Sequence, residues 1–304
     1  MIRKTLSFAR WGDSECLFKN TSFCKRYTQL SRFEMLWKLL LSLAAFFTKP
    51  FHGPLDQDPF NITAADQEPY EISPYGPQSW REAHIAMQAL QGENGDMRFA
   101  ADWPESAGIR DEKYRWPGYP GKATVPYVMD GSLSNIEHLI VKAMDQYHKN
   151  TCIKFVKRTN ERNYIRMVKK GGCYSYVGRV GGAQELSLGR GCEYVGTIVH
   201  ELGHAIGLFH EHQRSDRDQY LNVYSNNVIS GQMHNFNKTP ASQELKWAKY
   251  DYTSIMHYGN YAFSKQPGKL KTMEAKNGTP LKEPYEKAGL NSVDIDLVKK
   301  LYKC

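Results

Sequence analysis

Residues 200–212 read HELGHAIGLFHEH, which sets three histidines and a glutamate at a spacing that can do chemistry. His200 and His204 are four apart, so on a helix their imidazoles project one above the other and can share a cation. Glu201 lies about a third of a turn away, where a carboxylate can act on a water without becoming a ligand. Gly207 comes three residues after the second histidine and can end the helix in a left-handed conformation. The chain would then turn and bring His210 back from another direction. Three neutral imidazoles with an open fourth position form the donor set of catalytic rather than structural zinc. The competing reading is a core helix built from Ile198, Val199, Leu202, Ala205, Ile206, Leu208 and Phe209. Without metal, that helix would have to bury three histidines and a carboxylate and find a partner for each, which is costly.

Other elements must hold this segment in place. KATVPYVMDG after Trp116-Pro117-Gly118 reads as a strand. SLSNIEHLIVKAMDQYHKNT follows as a helix, with Ser134 and Glu137 at capping-box spacing. Its apolar stripe is Ile136, Leu139, Ile140, Ala143, Met144 and Tyr147. Residues 152–156 and 163–169 read as strands, and CYSYVGR and QELSLG as shorter ones parted by Gly181-Gly182. The histidine helix begins near Gly196, and a last helix spans about Ser292–Tyr302 after a turn-rich stretch. A short helix over 80–90, with Ser79 as its cap, stands apart upstream. Strands and helices are segregated, which argues an α+β domain.

The 304 residues allow one or two domains with a real core, and the ordinary apolar content excludes disorder throughout. The net charge of +8 is uneven: residues 35–110 carry about −5 and residues 111–304 about +9. The basic residues are scattered and no nucleic-acid module is readable, so a nucleic-acid partner is not expected. MLWKLLLSLAAFFTKP from Met35 has the anatomy of a secretory signal peptide, and its apolar run, Leu39 to Phe47, is too short to span a bilayer. The expected parts are therefore an upstream extension (1–34), a signal peptide (35–50), a propeptide (51–110) and a catalytic domain (111–304). An anchor with a basic tail is the competing reading of the apolar run. Residues 50–79, rich in Pro and Asp, read as linker or extended propeptide. With Cys16 and Cys24 set aside, Cys152, Cys173, Cys192 and Cys304 read as two disulfides in an exported chain. Asn61, Asn237 and Asn277 begin glycosylation sequons, the latter two followed closely by Pro240 and Pro280.

HELGHAIGLFHEHQRSDRDQY, followed by SIMHY at 254–258, resembles the astacin family of zinc metalloendopeptidases, a branch of the metzincins. The likeness runs from about Trp116 to Cys304 through VPY, CIKFV, GCYSYVGR and the four cysteines. It implies a twisted, mostly antiparallel or mixed sheet with helices, a zinc cleft, and a largely irregular C-terminal part with a Met-turn and a final helix. It implies one zinc ion held by His200, His204 and His210, with Tyr258 as a displaceable ligand that swings to stabilise the reacting carbonyl. Glu201 would be the general base and Met256 the floor beneath the metal. Cys152–Cys304 and Cys173–Cys192 would be the pairs.

The resemblance further implies a latent proenzyme whose Asp96, in ENGDM, occupies the metal; Glu93 stands where the family pattern has an aromatic residue. Activation would need a protease that cuts between Asp96 and Trp116, at Arg110 or near Ser106–Gly108. Glu211 would anchor the new N-terminus. Extended polypeptide substrates would pair with an edge around Tyr174–Gly178. The family preference for an acidic residue after the cut has no assigned residue here, although Lys265, Lys269 and Lys271 lie in the right region. A secreted monomer without a stable membrane anchor is expected. The alternatives are a catalytically silent binding or matrix protein, which retention of Glu201 opposes, and a structural metal protein, which would need a closed coordination shell.

Overall fold

The computed structural model describes residues 80–88, 95–99, 111–242, 244–245 and 247–304. The upstream extension, the signal peptide, Ser79, Asn61, Glu93, Arg110 and Ser106–Gly108 lie outside the described residues.

The central layer is a six-stranded sheet: β1 (Met97–Arg98), β2 (Ala123–Met129), β3 (Ile153–Lys157), β4 (Tyr164–Val168), β5 (Cys173–Tyr176) and β6 (Ala183–Leu188), in the order β1-β5-β6-β4-β2-β3. It is mixed, as expected, with a larger parallel share than the short strands suggest: only β5–β6 is antiparallel. The register explains this. β3 pairs with Ala123–Tyr127 of β2, whereas β4 pairs with Tyr127–Met129, so β4 starts at the level where β3 ends. A short connection then crosses β2 without reversing direction.

Between β2 and β3 runs α2 (Glu137–Asn150), after α1 (Trp80–Gln88). Leu139, Ile140, Ala143, Met144 and Tyr147 of α2 are buried along one stripe, the spacing that seats a helix on a sheet. The Ser134–Glu137 capping box does not form. Asp130 accepts instead from the Ser132 amide at 3.0 Å and its hydroxyl at 2.7 Å, and opens a 3₁₀ turn ahead of the helix. An acidic residue upstream of the serine captures the first free amide.

The helix α3 (Val195–Ala205) is buried along its whole length. Tyr147 donates to the Val199 carbonyl at 2.7 Å, and Trp116 Nε1 donates to the Ala205 carbonyl at 2.7 Å. Past α3 the described residues are largely irregular, with short 3₁₀ turns, a two-stranded ladder of β7 (Leu221–Val223) and β8 (Met273–Ala275) and a final helix α4 (Ser292–Tyr302). Disulfides join Cys152 to Cys304 and Cys173 to Cys192. The second closes a loop of 19 residues, worth about 3 kcal/mol by chain entropy. Among the described residues no helix is long and apolar enough to cross a membrane.

Candidate metal centre

α3 carries His200 and His204 on one face and stops at Gly207, whose φ of +106° suits glycine. The Gly207 and Leu208 amides close the end by donating to the His204 and Gly203 carbonyls. The chain then leaves in an extended conformation at His210, which faces back to the helix. His204 Nε2 lies 3.0 Å from His200 Nε2 and 3.2 Å from His210 Nε2.

Those three nitrogens are lone pairs, because each ring spends its proton elsewhere. His200 Nδ1 donates to the Ile255 carbonyl at 2.8 Å, His204 Nδ1 to the Leu208 carbonyl at 2.8 Å, and His210 Nδ1 to Gln213 Oε1 at 3.1 Å. The Gln213 orientation is set by its Nε2, which donates to the Asn235 carbonyl at 3.0 Å. Three converging acceptors cannot satisfy one another; a cation can. Tetrahedral zinc with Zn–N of about 2.0–2.1 Å separates its ligand nitrogens by roughly 3.3 Å, close to the spacing seen. The donor set therefore fits zinc.

Asp96 completes the cluster. Its Oδ1 lies 2.9 Å from His210 Nε2 and 3.5 Å from His204 Nε2, and its Oδ2 lies 3.0 Å from His200 Nε2. All four side chains are buried. Burial works against ionising Asp96, but the imidazoles of His210 and His204 hold its carboxyl well below the usual range. Burial lowers His200 to about 4 and lowers His204 as well, against the pull of Asp96. An ionised carboxylate buried among imidazole nitrogens is a charge that a divalent cation would neutralise.

Glu201 directly follows His200 on α3. It is fully buried, and neither carboxylate oxygen has a hydrogen-bond partner. Burial, then the charge of Asp96, pushes its carboxyl well above the ordinary value. The Tyr258 ring packs 4.5 Å from that of His210, and its hydroxyl is buried without a geometrically sound partner. Burial and then Asp96 raise this phenol well above 10. Met256 is buried beneath α3, where a Cβ on Gly203 would come within 2.8 Å of its Sδ. Glu211 is buried beside the cluster; its Oε1 accepts from Arg214 Nη1 at 3.0 Å and from the Asp251 amide at 2.9 Å. Burial lifts it to about 7, against Arg214, and it lines a cavity of about 40 Å³ with Leu208, Glu244, Asp251 and Asp294.

Tyr174–Tyr176, expected at an exposed edge, is paired on both sides here: β1 lies on it in parallel register, Met97 opposite Ser175, and β6 lies on the other side. Lys265 and Lys271 serve their own loops, donating to the Asn226 carbonyl and to Glu274. Sequence reasoning passed over several positioning groups. Asp294 accepts from Ser254 Oγ and the Ile255 amide at 2.7 and 3.0 Å, and so fixes the carbonyl that orients His200. His212 stacks on Tyr258 at 4.8 Å. Neither carries a local signal beyond its place next to a motif or helix start.

A helix and a returning loop that converge three unprotonated imidazoles beside a buried glutamate, over a methionine turn, define a metzincin-type zinc peptidase. Residues 108–303 match the family model of the astacin peptidases, and the chain belongs to that family. It is a zinc metalloendopeptidase, 44% identical over 216 residues to astacin-like metalloprotease toxin 1 of Loxosceles intermedia, covering 69% of this chain and 80% of that one. Identity to zinc metalloproteinase nas-6 of Caenorhabditis elegans is 40%, over 64% of this chain and 56% of the relative. The structure of high choriolytic enzyme 1, a hatching-enzyme zinc protease from Oryzias latipes, superposes with a TM-score of 0.59 at 39% identity, over 64% of this chain and 96% of that one.

Proposed function

We propose that the chain is a secreted zinc endopeptidase made in a latent form, held closed by the segment ahead of Trp116. The observation that carries this reading is Asp96, both of whose oxygens face the imidazole nitrogens. One zinc ion held by His200, His204 and His210 would, when bound, polarise a peptide carbonyl and make water easier to deprotonate. Asp96 stands where that water would sit, and β1 covers the edge of β5 that an extended polypeptide would use.

Glu201 then takes the proton from water and returns it to the leaving amine; its unpartnered, buried carboxylate suits a base. The Tyr258 hydroxyl, free of a committed partner, hydrogen-bonds the oxyanion that develops on the substrate. Met256 packs softly under the imidazoles without competing as a donor. An activating protease cuts between Asp96 and Trp116, and the new N-terminus enters the cavity beside Glu211. Secretion rests on the apolar run from Leu39 to Phe47 and on two disulfides, which persist in oxidising compartments.

The test uses chain 35–304 expressed through a secretory route and treated with limiting trypsin. Peptide cleavage and bound zinc are compared in wild type and Glu201→Gln. Zinc in both, with trypsin-dependent cleavage only in wild type, is the expected result. Cleavage by Glu201→Gln at the wild-type rate would remove the base assignment, and full activity before trypsin would remove latency.

A further inference from the structure

α1 covers a carboxylate that is only partly satisfied. Glu283 is 4% exposed, and its Oε1 has no hydrogen-bond partner. The side chain lies against Gly259, where a Cβ would come within 2.9 Å of it. Gly259 follows Tyr258 directly, and the Glu283 charge bears on the Tyr258 phenol while Asp96 bears on Glu283. This carboxylate therefore packs against the residue that directly follows Tyr258. Lys287, four residues on, spends its ammonium on the carbonyls of Ser254 and His257 at 2.7 and 2.5 Å.

The group set over Glu283 is His84 of α1, with Nδ1 3.9 Å from Oε1. The match is poor. Gln88 Nε2 donates to that same Nδ1 at 3.2 Å, which leaves the protonated Nε2 of His84 buried and unpartnered. Gln88 Oε1 in turn accepts from the Phe263 amide at 2.8 Å, so α1 is pinned by hydrogen bonds while its ring, kept neutral by burial, brings Glu283 no charge. Burial pushes the Glu283 carboxyl up to about 8, against the Gly259 amide and the charge of Lys287.

Chain direction says which part of a substrate would meet this group. α1 precedes Asp96, and β1 follows it, parallel to β5. A substrate pairing antiparallel with β5, the more stable ladder, runs the opposite way. Its residues beyond the cut would then lie where α1 lies in the uncleaved chain. We propose that, once α1 has left, Glu283 forms the base of the subsite for the first or second side chain after the cut and selects Lys or Arg there. A carboxylate facing that pocket attracts a cation and opposes an acidic side chain. This selectivity is the reverse of the acidic preference that the family resemblance implies. The inference deepens the endopeptidase reading and rests on it and on release of α1.

The test is the cleavage profile of the trypsin-activated chain, with trypsin then inhibited, on a proteome-derived peptide library read by mass spectrometry. Glu201→Gln treated the same way supplies the background. Wild type, Glu283→Gln and Glu283→Lys are compared by the ratio of basic to acidic residues after the cut within each variant, so that a change in overall rate does not enter. Wild type should favour Lys and Arg by about ten-fold or more, the scale of a close ion pair. Glu283→Gln should bring the ratio toward parity, and Glu283→Lys should invert it. The same ratio in all three, or acidic enrichment in wild type, would overturn the assignment. A wild type that cuts no peptide would overturn the endopeptidase reading beneath it, and the two failures are therefore distinct.

Discussion

Replacing Asp96 with Asn keeps the size of the side chain and removes its charge from the histidine cluster. Its oxygens lie 2.9 Å from His210 Nε2 and 3.0 Å from His200 Nε2, wholly buried, and because those nitrogens carry lone pairs the carboxylate would be held by the cation they share rather than by hydrogen bonds to them. Removing one charge from a buried ionic contact costs about 3–5 kcal/mol, and the amide oxygen of Asn keeps part of it. A loss of about 3 kcal/mol is therefore a fair working value. At about 1.4 kcal/mol per decade, the population with the site uncovered rises by about 10². The uncleaved Asp96→Asn chain should hydrolyse a quenched fluorescent peptide about a hundred-fold faster than the uncleaved wild type. After trypsin the two should turn over at the same rate, because Asp96 has left with its segment. If the uncleaved variant were as silent as wild type, yet active once cleaved, the carboxylate would not be the latch. Closure would then rest on α1 and β1 alone.

Chelation should lower the melting temperature by roughly 10 °C, since a metal at a thousand times its Kd stabilises by about 4 kcal/mol. Zinc should restore it and magnesium should not; an unchanged melt under chelation would contradict the converging lone pairs. Gly203→Ala puts a Cβ 2.8 Å from Met256 Sδ. Overpacking of about 1–3 kcal/mol outweighs the roughly 1 kcal/mol gained from helix propensity, so both melting temperature and zinc affinity should fall. A variant as stable and as tight as wild type would show that the methionine yields freely. The His84 imidazole is lowered by burial to about 4, against about 6.5 when free, so between those values the opened chain binds more protons than the closed one. The stability conferred by neutral, buried His84 is complete above about pH 6.5 and is lost as pH falls toward 4, about 2 kcal/mol of it by pH 5. Thermal melts at pH 7 and pH 5 should show wild type losing more than His84→Gln; equal losses would mean that His84 is not held neutral.

Much of this protein is written in local spacing. The i, i+4 pair His200 and His204, Gly207 as the stop and His210 as the returning donor are set by helical geometry and one glycine. The stripe of α2 and the capped start of α4 are likewise short-range, because they depend on which residues a helix face or a helix end presents within a few positions. Tertiary structure decided the rest. Ile255, 55 residues from His200, supplies the carbonyl that sets its tautomer, and Asp294 fixes that carbonyl from the last helix. The parallel share of the sheet depends on the offset between β3 and β4 along β2, which no alternation pattern encodes. Asp96 acquires its role from a position 104 residues before His200, and Glu283 meets His84 across most of the described chain. A carboxylate in sequence is only a charge. Burial and the neighbours brought by distant segments determine whether it binds a metal, abstracts a proton or selects a side chain.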